Sequence, residues 1–239
     1  MKRALVTGAS KGLGLGIAKM LLSEGYFVTV TYAHDEQAAE NCKNELQGIS
    51  ADFEVLKVNQ NDKDDMRRLV AHLRQQESID CIVCNAGTTL RKGLTEMSDE
   101  EWESVMNVNV NAPVFLIRDL FDKIPNGSRI VFIGSEMAVH PHGTSLAYGV
   151  SKSAVHALAT NLVKFFEDTN TTVNAIAPGF VETEWQKTKP EEIRQNIYRK
   201  TAIKRFATVE EVADAVRFCI NNAFVNGSII EVTGGYCFK

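Results

Sequence analysis

Short apolar runs rich in β-branched residues alternate with amphipathic helical patterns along almost the whole chain. Seven runs predict strands, at residues 4–7, 27–31, 53–58, 81–84, 129–133, 172–176 and 228–232. Helical patterns lie between them at residues 15–23, 37–46, 64–74, 99–121 and 150–166. Nearly continuous Val, Ile and Leu in the strands is typical of a parallel sheet covered by crossover helices. The alternation therefore predicts a doubly wound, Rossmann-type α/β fold: one seven-stranded parallel sheet with helices on both faces.

The length of the chain fits this class without a second domain. Its 239 residues suit one large α/β domain, and no internal repeat or Pro/Gly-rich linker divides them. We therefore predict a single domain over residues 1–239. The polar and charged stretch 185–207, between the sixth strand and the next helix, is expected to be a mobile substrate lid.

Charge and hydropathy exclude two classes of partner. The formal net charge of −4 leaves no basic excess to neutralise a phosphate backbone, so nucleic acid is not an expected partner. No run approaches the roughly 20 apolar residues that a membrane span needs. Met1 leads directly into an apolar strand, with no signal-peptide pattern before it. We therefore expect a cytoplasmic protein with no membrane partner.

The cysteine pattern favours reduced thiols. The chain has five cysteines, an odd number that suits no disulfide framework. Cys81 and Cys84 form a C-x-x-C, but both lie along one predicted strand, where alternation points their side chains to opposite faces. We therefore predict neither a redox pair nor a metal site.

A glycine-rich turn directly follows the first strand. Gly8, Gly12 and Gly14 have the spacing G-x3-G-x-G, and a helical pattern begins at Leu15. Glycines let the backbone approach a ligand closely, and the free amides and dipole of a helix N-terminus attract phosphate. Doubly wound sheets bind ligands at this edge, outside the carboxyl ends of their strands. The turn therefore predicts a nucleotide site, with a ligand-free structural turn as the alternative.

The end of the second strand bears on which nucleotide binds. An acidic residue there would hold a free ribose hydroxyl and repel a 2′-phosphate. The strand runs into Tyr32, Ala33 and His34 without that acid, and Lys11, assisted by His34, can supply positive charge to a 2′-phosphate. This arrangement favours NADP(H). The alternative is that Lys11 is merely solvated and Asp35 faces the ribose, which would favour NAD(H).

A serine, a tyrosine and a lysine have spacing suited to proton transfer. Ser135 follows the fifth strand, and Tyr148 and Lys152 lie four residues apart on one face of a predicted helix. An ammonium about 4 Å from the tyrosine hydroxyl would lower its pKa, ordinarily about 10, by roughly three units at an effective dielectric near 20. We expect Tyr148 to exchange a proton with a carbonyl oxygen that Ser135 positions. Taken singly, each of these residues is more often structural.

Together these motifs resemble the short-chain dehydrogenase/reductase family, from the first strand to the C-terminus. The resemblance implies an oxidoreductase that moves hydride between a nicotinamide cofactor and a carbonyl or alcohol, as a homotetramer or homodimer. The motifs that carry it are T-G-x3-G-x-G at 7–14, N-A-G at 85–87, Asn109, Ser135, Tyr148, Lys152, Pro178-Gly179 with Thr183, and I-x-V-x-G-G at 230–235.

The resemblance also implies roles for individual residues. Asn109 would hold a water that links Lys152 to solvent, and Lys152 would also bind the nicotinamide ribose. Asn85 corresponds to a residue near the adenosine ribose, although Cys84 replaces the asparagine that usually precedes it. Asn59 replaces an aspartate and can still accept from the adenine amino group. The implied cofactor residues are Gly8, Ser10, Lys11, Gly12, Leu13, Gly14, His34, Asn59, Asn85, Ala86, Gly87, Tyr148, Lys152, Pro178, Gly179, Val181 and Thr183.

Within the family, the chain is most similar to β-ketoacyl-acyl carrier protein reductases, which use NADPH. Arg129 matches one basic position through which such enzymes recognise their acidic carrier protein. The second basic position is replaced by Glu-Asp-Thr-Asn at 167–170, which would repel an acidic partner.

The loop after Ser135 also departs from the family, whose segment there is usually small and glycine-rich. Glu136, His140 and His142 stand in this loop and could join Ser135 and Tyr148 in contacting a polar substrate; solvated histidines are the alternative. The leading function is reduction of a 3-oxoacyl thioester carried by acyl carrier protein. The alternatives are a dehydrogenase or reductase of a free small alcohol or ketone, such as a polyol or steroid, and a catalytically silent NADP-binding regulator.

Overall fold

All seven predicted strands form one parallel sheet in the computed structural model, which describes residues 1–141, 143 and 145–236. The strand order is β3-β2-β1-β4-β5-β6-β7, and Leu5 of β1 lies between Thr29 of β2 and Ile82 of β4. Winding therefore reverses between β1 and β4, which opens a crevice at their carboxyl ends. The predicted fold class is confirmed. The strands are β1 (Arg3–Val6), β2 (Phe27–Tyr32), β3 (Phe53–Lys57), β4 (Cys81–Cys84), β5 (Arg129–Ile133), β6 (Thr172–Pro178) and β7 (Ile229–Val232).

Helices connect the strands and cover both faces of the sheet. Ser98 and Thr208 start two of them with capping boxes, in which the hydroxyl accepts the backbone N–H of a glutamate three residues later and the carboxylate of that glutamate accepts the backbone N–H of the capping residue. No helix among the described residues is long and apolar enough to cross a bilayer. The helices are α1 (Gly12–Ser23), α2 (Glu36–Gln47), α3 (Lys63–Leu73), α4 (Asp99–Met106), α5 (Ala112–Asp119), α6 (Leu146–Leu162), α7 (Glu184–Lys187), α8 (Glu191–Lys200) and α9 (Val209–Asn221).

Alternate residues of the strands point into two apolar clusters, one on each face. In β4, Cys81 and Val83 join a cluster that includes side chains of α1, α2 and α9. Ile82 and Cys84 join the other, which includes side chains of α3, α5 and α6. The two cysteines thus lie on opposite faces, as predicted. Both are free, and burial raises the pKa of each thiol to about 12, so neither is a reactive thiolate at neutral pH.

The predicted helix over residues 99–121 is wrong in one respect, because a π-helical turn divides it. This turn, Asn107–Asn111, separates α4 from α5. A π-turn leaves a backbone carbonyl without its usual partner, and here the side-chain amide of Gln60 donates to the carbonyl of Val108 at 3.0 Å. The turn buries Asn109, which is only 2% exposed. Hydropathy periodicity does not reveal such a turn, since it adds a single residue.

Candidate active site

A cavity of about 780 Å³ opens at the carboxyl ends of β4, β5 and β6. Lys189, Ile193, Asn196 and Lys200 line it from the side of α8, and the sequence interpretation missed all four. Ile193, Asn196 and Lys200 are spaced three and four residues apart on one face of α8, which was the available signal, and Lys189 precedes that helix. Predicted site residues that the cavity brings together are Leu13, Asn85, Gly87, Ser135, Glu136, Tyr148, Lys152, Pro178, Gly179, Val181 and Thr183.

Ser135 and Tyr148 meet in this cavity. Ser135 lies two residues beyond β5 and is 8% exposed, and its hydroxyl accepts the backbone N–H of Met137 at 3.2 Å. Tyr148 stands half-buried in the first turn of α6. Burial raises the pKa of Tyr148, and a side-chain hydrogen bond with Ser135 opposes that rise. The two hydroxyls therefore present adjacent groups to one carbonyl oxygen.

Lys152 follows Tyr148 by one turn of α6, but its ammonium bonds to a backbone carbonyl of β5. Its ammonium donates to the carbonyl of Ile133 at 2.7 Å and lies 5.6 Å from the centroid of the Tyr148 ring. Burial lowers the pKa of Lys152 to about 8, so the amine is mostly charged at pH 7. The effect of Lys152 on Tyr148 stays a prediction: burial is the largest cause at the tyrosine and raises its pKa, while the ammonium of Lys152 is held by the carbonyl of Ile133.

Asn109 connects the residues after β4 to α6. Its amide nitrogen donates to the carbonyl of Thr88 and to the hydroxyl of Ser151, both at 2.9 Å. Its amide oxygen accepts the N–H of Thr88 at 2.8 Å. Ser151 in turn donates to the carbonyl of Tyr148 at 2.7 Å. Asn109 therefore helps to position the helix turn that carries the tyrosine.

Gly87 is the point where Asn109 and Lys152 come together. A Cβ at Gly87 would lie 3.3 Å from the amide oxygen of Asn109 and 3.5 Å from the ammonium of Lys152. The two side chains therefore approach the same side of Gly87, where the resemblance implies a water between them. The proton relay through such a water stays a prediction.

The glycine-rich turn packs directly against the residues after β4. A Cβ at Gly8 would lie 2.7 Å from the Cα of Ala86, and one at Gly14 would lie 2.5 Å from the amide nitrogen of Asn85. That amide donates to the carbonyls of Thr7 and Gly8, both at 2.9 Å. Asn85 therefore holds the turn in shape, and its contact with the adenosine ribose stays a prediction.

The N-terminus of α1 suits a phosphate. The helix begins at Gly12, inside the glycine-rich turn and three residues before the predicted start. Lys11 at the N-cap makes no side-chain capping bond, and the first turn has no acidic residue. By contrast, Asp35 and Asp62 cap α2 and α3. The free amides of α1 and the adjoining glycines fit the pyrophosphate of a dinucleotide, which when bound supplies or receives hydride.

The two residues that favour opposite nucleotides are paired with each other. The ammonium of Lys11 lies 2.7 Å from a carboxylate oxygen of Asp35, and both side chains are exposed. This bond lowers the pKa of Asp35, as does the N–H of Ala38, which Asp35 accepts at 3.0 Å. His34 is exposed beside them. Lys11 is therefore engaged with Asp35, and its contact with a ribose phosphate stays a prediction.

Asn59, at the predicted adenine end, is already engaged in the turn after β3. Its side-chain amide oxygen accepts the backbone N–H of Asn61 at 3.0 Å. Its backbone N–H donates to the carboxylate of Asp65 at 2.7 Å. An amide oxygen has a second lone pair, so the contact with adenine stays a prediction.

The segment 185–207 contains α8 and most of α7. Arg194 donates to the carboxylate of Glu182 at 2.6 Å and to the hydroxyl of Tyr198 at 2.8 Å. A small aromatic cluster lies under these helices. Lid motion stays a prediction. The members of the cluster are Phe180, Tyr198, Phe206 and Tyr236.

Three other predicted residues are not among the described residues that line the cavity. His140 is half-buried outside the cavity lining, and its N–H donates to the carbonyl of Glu136 at 2.9 Å. His142 lies outside the described residues. Arg129 stands at the amino end of β5, on the opposite edge of the sheet from the cavity. Its guanidinium donates to the backbone carbonyls of Gly127, Ser128, Asn170 and Ile220.

Comparison with known proteins shows what this chain is similar to. Residues 2–194 match the short chain dehydrogenase family. The 3-oxoacyl-[acyl-carrier-protein] reductase of Staphylococcus aureus is 28% identical over 239 residues, covering 98% of this chain and 97% of the relative. A solved short-chain dehydrogenase/reductase of Serratia marcescens has a TM-score of 0.92 at 28% identity, covering 99% of this chain and 98% of that one. The angucycline C-6 ketoreductase LanV, solved with bound NADP, has a TM-score of 0.91 at 26% identity, with coverage of 100% and 96%.

Proposed function

We infer the function of this chain from the premise that it belongs to the short chain dehydrogenase family, as an oxidoreductase of carbonyl or alcohol groups. We propose that it is an NADPH-dependent carbonyl reductase. The observation that carries this proposal is one cavity lined by Ser135 and Tyr148, by the buried Lys152 and by Leu13, which lies within the glycine-rich turn at the start of α1.

The proposed reaction uses these residues in fixed roles. The substrate carbonyl oxygen accepts hydrogen bonds from Ser135 and Tyr148, which hold it for attack. Tyr148 gives its proton to that oxygen as hydride reaches the carbonyl carbon, and in the reverse direction it takes the proton back. Lys152, buried and mostly charged at pH 7, replaces the lost proton through the Asn109 region. The residues after β6, including Gly179 and Thr183, would hold the nicotinamide end.

NADP(H) is the proposed cofactor. The bound NADP of the ketoreductase LanV supports it, as does the position of Lys11 beside the end of β2. Asp35 opposes a 2′-phosphate at this position, because a carboxylate repels it.

Two substitutions separate the contributions of these residues. Lys11→Ala is expected to raise the KM for NADPH about tenfold and to leave the KM for NADH nearly unchanged, because only NADPH has the 2′-phosphate. Asp35→Asn is expected to lower the KM for NADPH about threefold, and asparagine still caps α2. Steady-state kinetics with both nucleotides measure this. Lys19→Ala, which removes an exposed pair with Glu45 on the far part of α1, is the matched control. A wild-type preference for NADH would contradict the assignment.

A 3-oxoacyl thioester is the proposed substrate class. The 3-oxoacyl-[acyl-carrier-protein] reductase of Staphylococcus aureus, similar to this chain over almost its whole length, supports it. Among the described residues, four cationic side chains line the cavity beside a single acid, in a chain of net charge −4, and this local excess attracts anionic molecules. The cationic residues are Arg91, Lys152, Lys189 and Lys200.

A free small ketone is the second candidate, and the position of Arg129 favours it. The guanidinium binds four carbonyls of its own chain, so it offers little to a carrier protein. Residues 167–170 add acidic side chains near the same edge of the sheet. A carrier-bound substrate would therefore need a different docking contact.

A substrate panel distinguishes the two candidates. We expect NADPH-dependent turnover of acetoacetyl-acyl carrier protein and of an acetoacetyl thioester of a small thiol, with kcat/KM at least about tenfold above that of matched free ketones. Oxidation of NADPH, followed by absorbance, measures each rate. Arg129→Ala should not change the ratio between carrier-bound and small thioesters. Turnover confined to free ketones would exclude the first candidate.

A further inference from the structure

Glu136, next to Ser135, is a buried acid whose role the reaction above does not explain. It begins the short helical turn Glu136–Ala138 after β5 and is only 4% exposed. Its carboxylate oxygen Oε2 is buried and has no hydrogen-bond partner among the described residues. Burying a carboxyl oxygen without a hydrogen-bond partner destabilises the folded state. A residue kept in this state beside Ser135 is therefore expected to have a function.

The groups that face this carboxyl come from three elements. Oε2 would lie 2.9 Å from a Cβ at position 179, so Gly179 leaves the space that the carboxyl uses. Glu231 of β7 repels its negative charge, and burial together with this repulsion raises the pKa of Glu136 to about 7. From α6, Tyr148 lines the same cavity as Glu136, and His156 accepts the N–H of Ser135 at 3.4 Å. Lys152 of α6 is turned toward β5.

The charge of Glu136 acts on Tyr148. An ionised Glu136 raises the pKa of the tyrosine, in the same direction as burial does. Reduction needs the protonated phenol, whereas oxidation needs the phenolate. A negative charge at position 136 therefore favours the form that reduces a carbonyl.

We propose that Glu136 is a positioning residue that, when ionised, keeps Tyr148 protonated and so biases the enzyme toward carbonyl reduction. The proposal rests on the proposed function. Below neutral pH, Glu136 is protonated and has no such effect. As the pH rises through about 7, its charge appears and the loss of the tyrosine proton moves to higher pH. The reducing form then persists into the alkaline range.

The test is the pH dependence of kcat for alcohol oxidation, compared between the wild type and Glu136→Gln. Glutamine has the shape of the protonated acid and cannot ionise. We expect the rise of kcat that accompanies loss of the tyrosine proton to move to lower pH by about one unit in the variant, because the negative charge that opposes this loss is gone. The wild-type profile should also bend near pH 7, and the variant profile should not.

Two further variants make the result specific. Glu231→Gln keeps the carboxyl of Glu136 but removes a repelling charge. The bend near pH 7 should therefore move to lower pH, while the rise of kcat that follows the loss of the tyrosine proton should stay in place. This variant also tests the proposal if Glu136→Gln does not fold, since Glu231 is exposed. Glu40→Gln on the exposed face of α2 removes the same charge far from the cavity and should change neither feature.

Failure of this inference is distinguishable from failure of the proposed function. Suppose that the wild type turns over ketone and alcohol, but the rise of kcat with pH lies at the same pH in Glu136→Gln as in the wild type. Glu136 then does not act on Tyr148. An unmoved bend in Glu231→Gln overturns the proposal equally. Absence of any NADPH-dependent turnover in the wild type would instead refute the proposed function.

Discussion

Replacing Tyr148 with phenylalanine is expected to lower kcat by about 10²–10⁴-fold, the range that general acid–base catalysis usually contributes. The substitution removes only the hydroxyl that meets Ser135 in the cavity. The ring remains, so the packing of α6 and the cofactor site should change little. The dissociation constant for NADPH is therefore expected to stay within about twofold of the wild-type value.

Steady-state assays of NADPH oxidation measure kcat, and calorimetric titration with NADPH measures the dissociation constant. Tyr26→Phe is the control, because it removes a buried tyrosine hydroxyl at the amino end of β2, away from the cavity. An unchanged kcat in Tyr148→Phe would refute the proposed proton donor. Loss of NADPH binding together with kcat would assign the hydroxyl to cofactor binding.

Replacing Gly14 with alanine is expected to weaken NADPH binding at least about tenfold, because overpacking of a close contact typically costs about 1–3 kcal/mol. The added Cβ would meet the amide nitrogen of Asn85 at 2.5 Å, the Cα of Ala9 at 2.7 Å and the carbonyl of Gly8 at 2.8 Å. Two of these atoms belong to the backbone of the phosphate turn, so the turn itself must shift. The bonds from Asn85 to the turn would be strained as well.

The overpacking in Gly14→Ala should also lower the free energy of unfolding. A loss of about 2 kcal/mol corresponds to a fall in Tm of roughly 4–8 °C for a chain of this size. Calorimetric titration and thermal unfolding measure the two effects. Gly48→Ala after α2 is the matched control, since its φ is −67° and the added Cβ would meet its nearest atom at 3.4 Å. Equal Tm and NADPH affinity in the two variants would contradict the close packing at Gly14.

Strand and helix periodicity predicted the sheet well because burial repeats along each element. The seven strands begin and end within two residues of their predicted positions, and Cys81 and Cys84 face opposite sides as alternation requires. The π-helical turn at Asn107–Asn111 was missed, since one added residue barely changes an apolar pattern. The early start of α1 at Gly12 was missed because glycine has low helix propensity.

The site was predicted best where spacing within one element determines it. Tyr148 and Lys152 share a helix face because they are four residues apart, and Ser135 follows a strand that must end at the ligand edge of the sheet. Arg129 matched a basic position in sequence, yet the amino end of β5 lies on the other edge. The cationic lining from α8 depends on how that helix packs over the cavity.

The sequence by itself determined the doubly wound class, the nucleotide turn and the set of hydroxyl and ammonium groups, because these depend on short-range periodicity and spacing. Only the tertiary structure decided what those groups contact. Lys152 binds a carbonyl 19 residues away, Lys11 pairs with an acid 24 residues away, and Asn85 holds a turn 78 residues away. The burial that leaves Oε2 of Glu136 without a hydrogen-bond partner in the described part of the chain likewise comes from the joint packing of β5, β6, β7 and α6. Desolvation and partner choice are set by such distant contacts, which residue spacing does not encode.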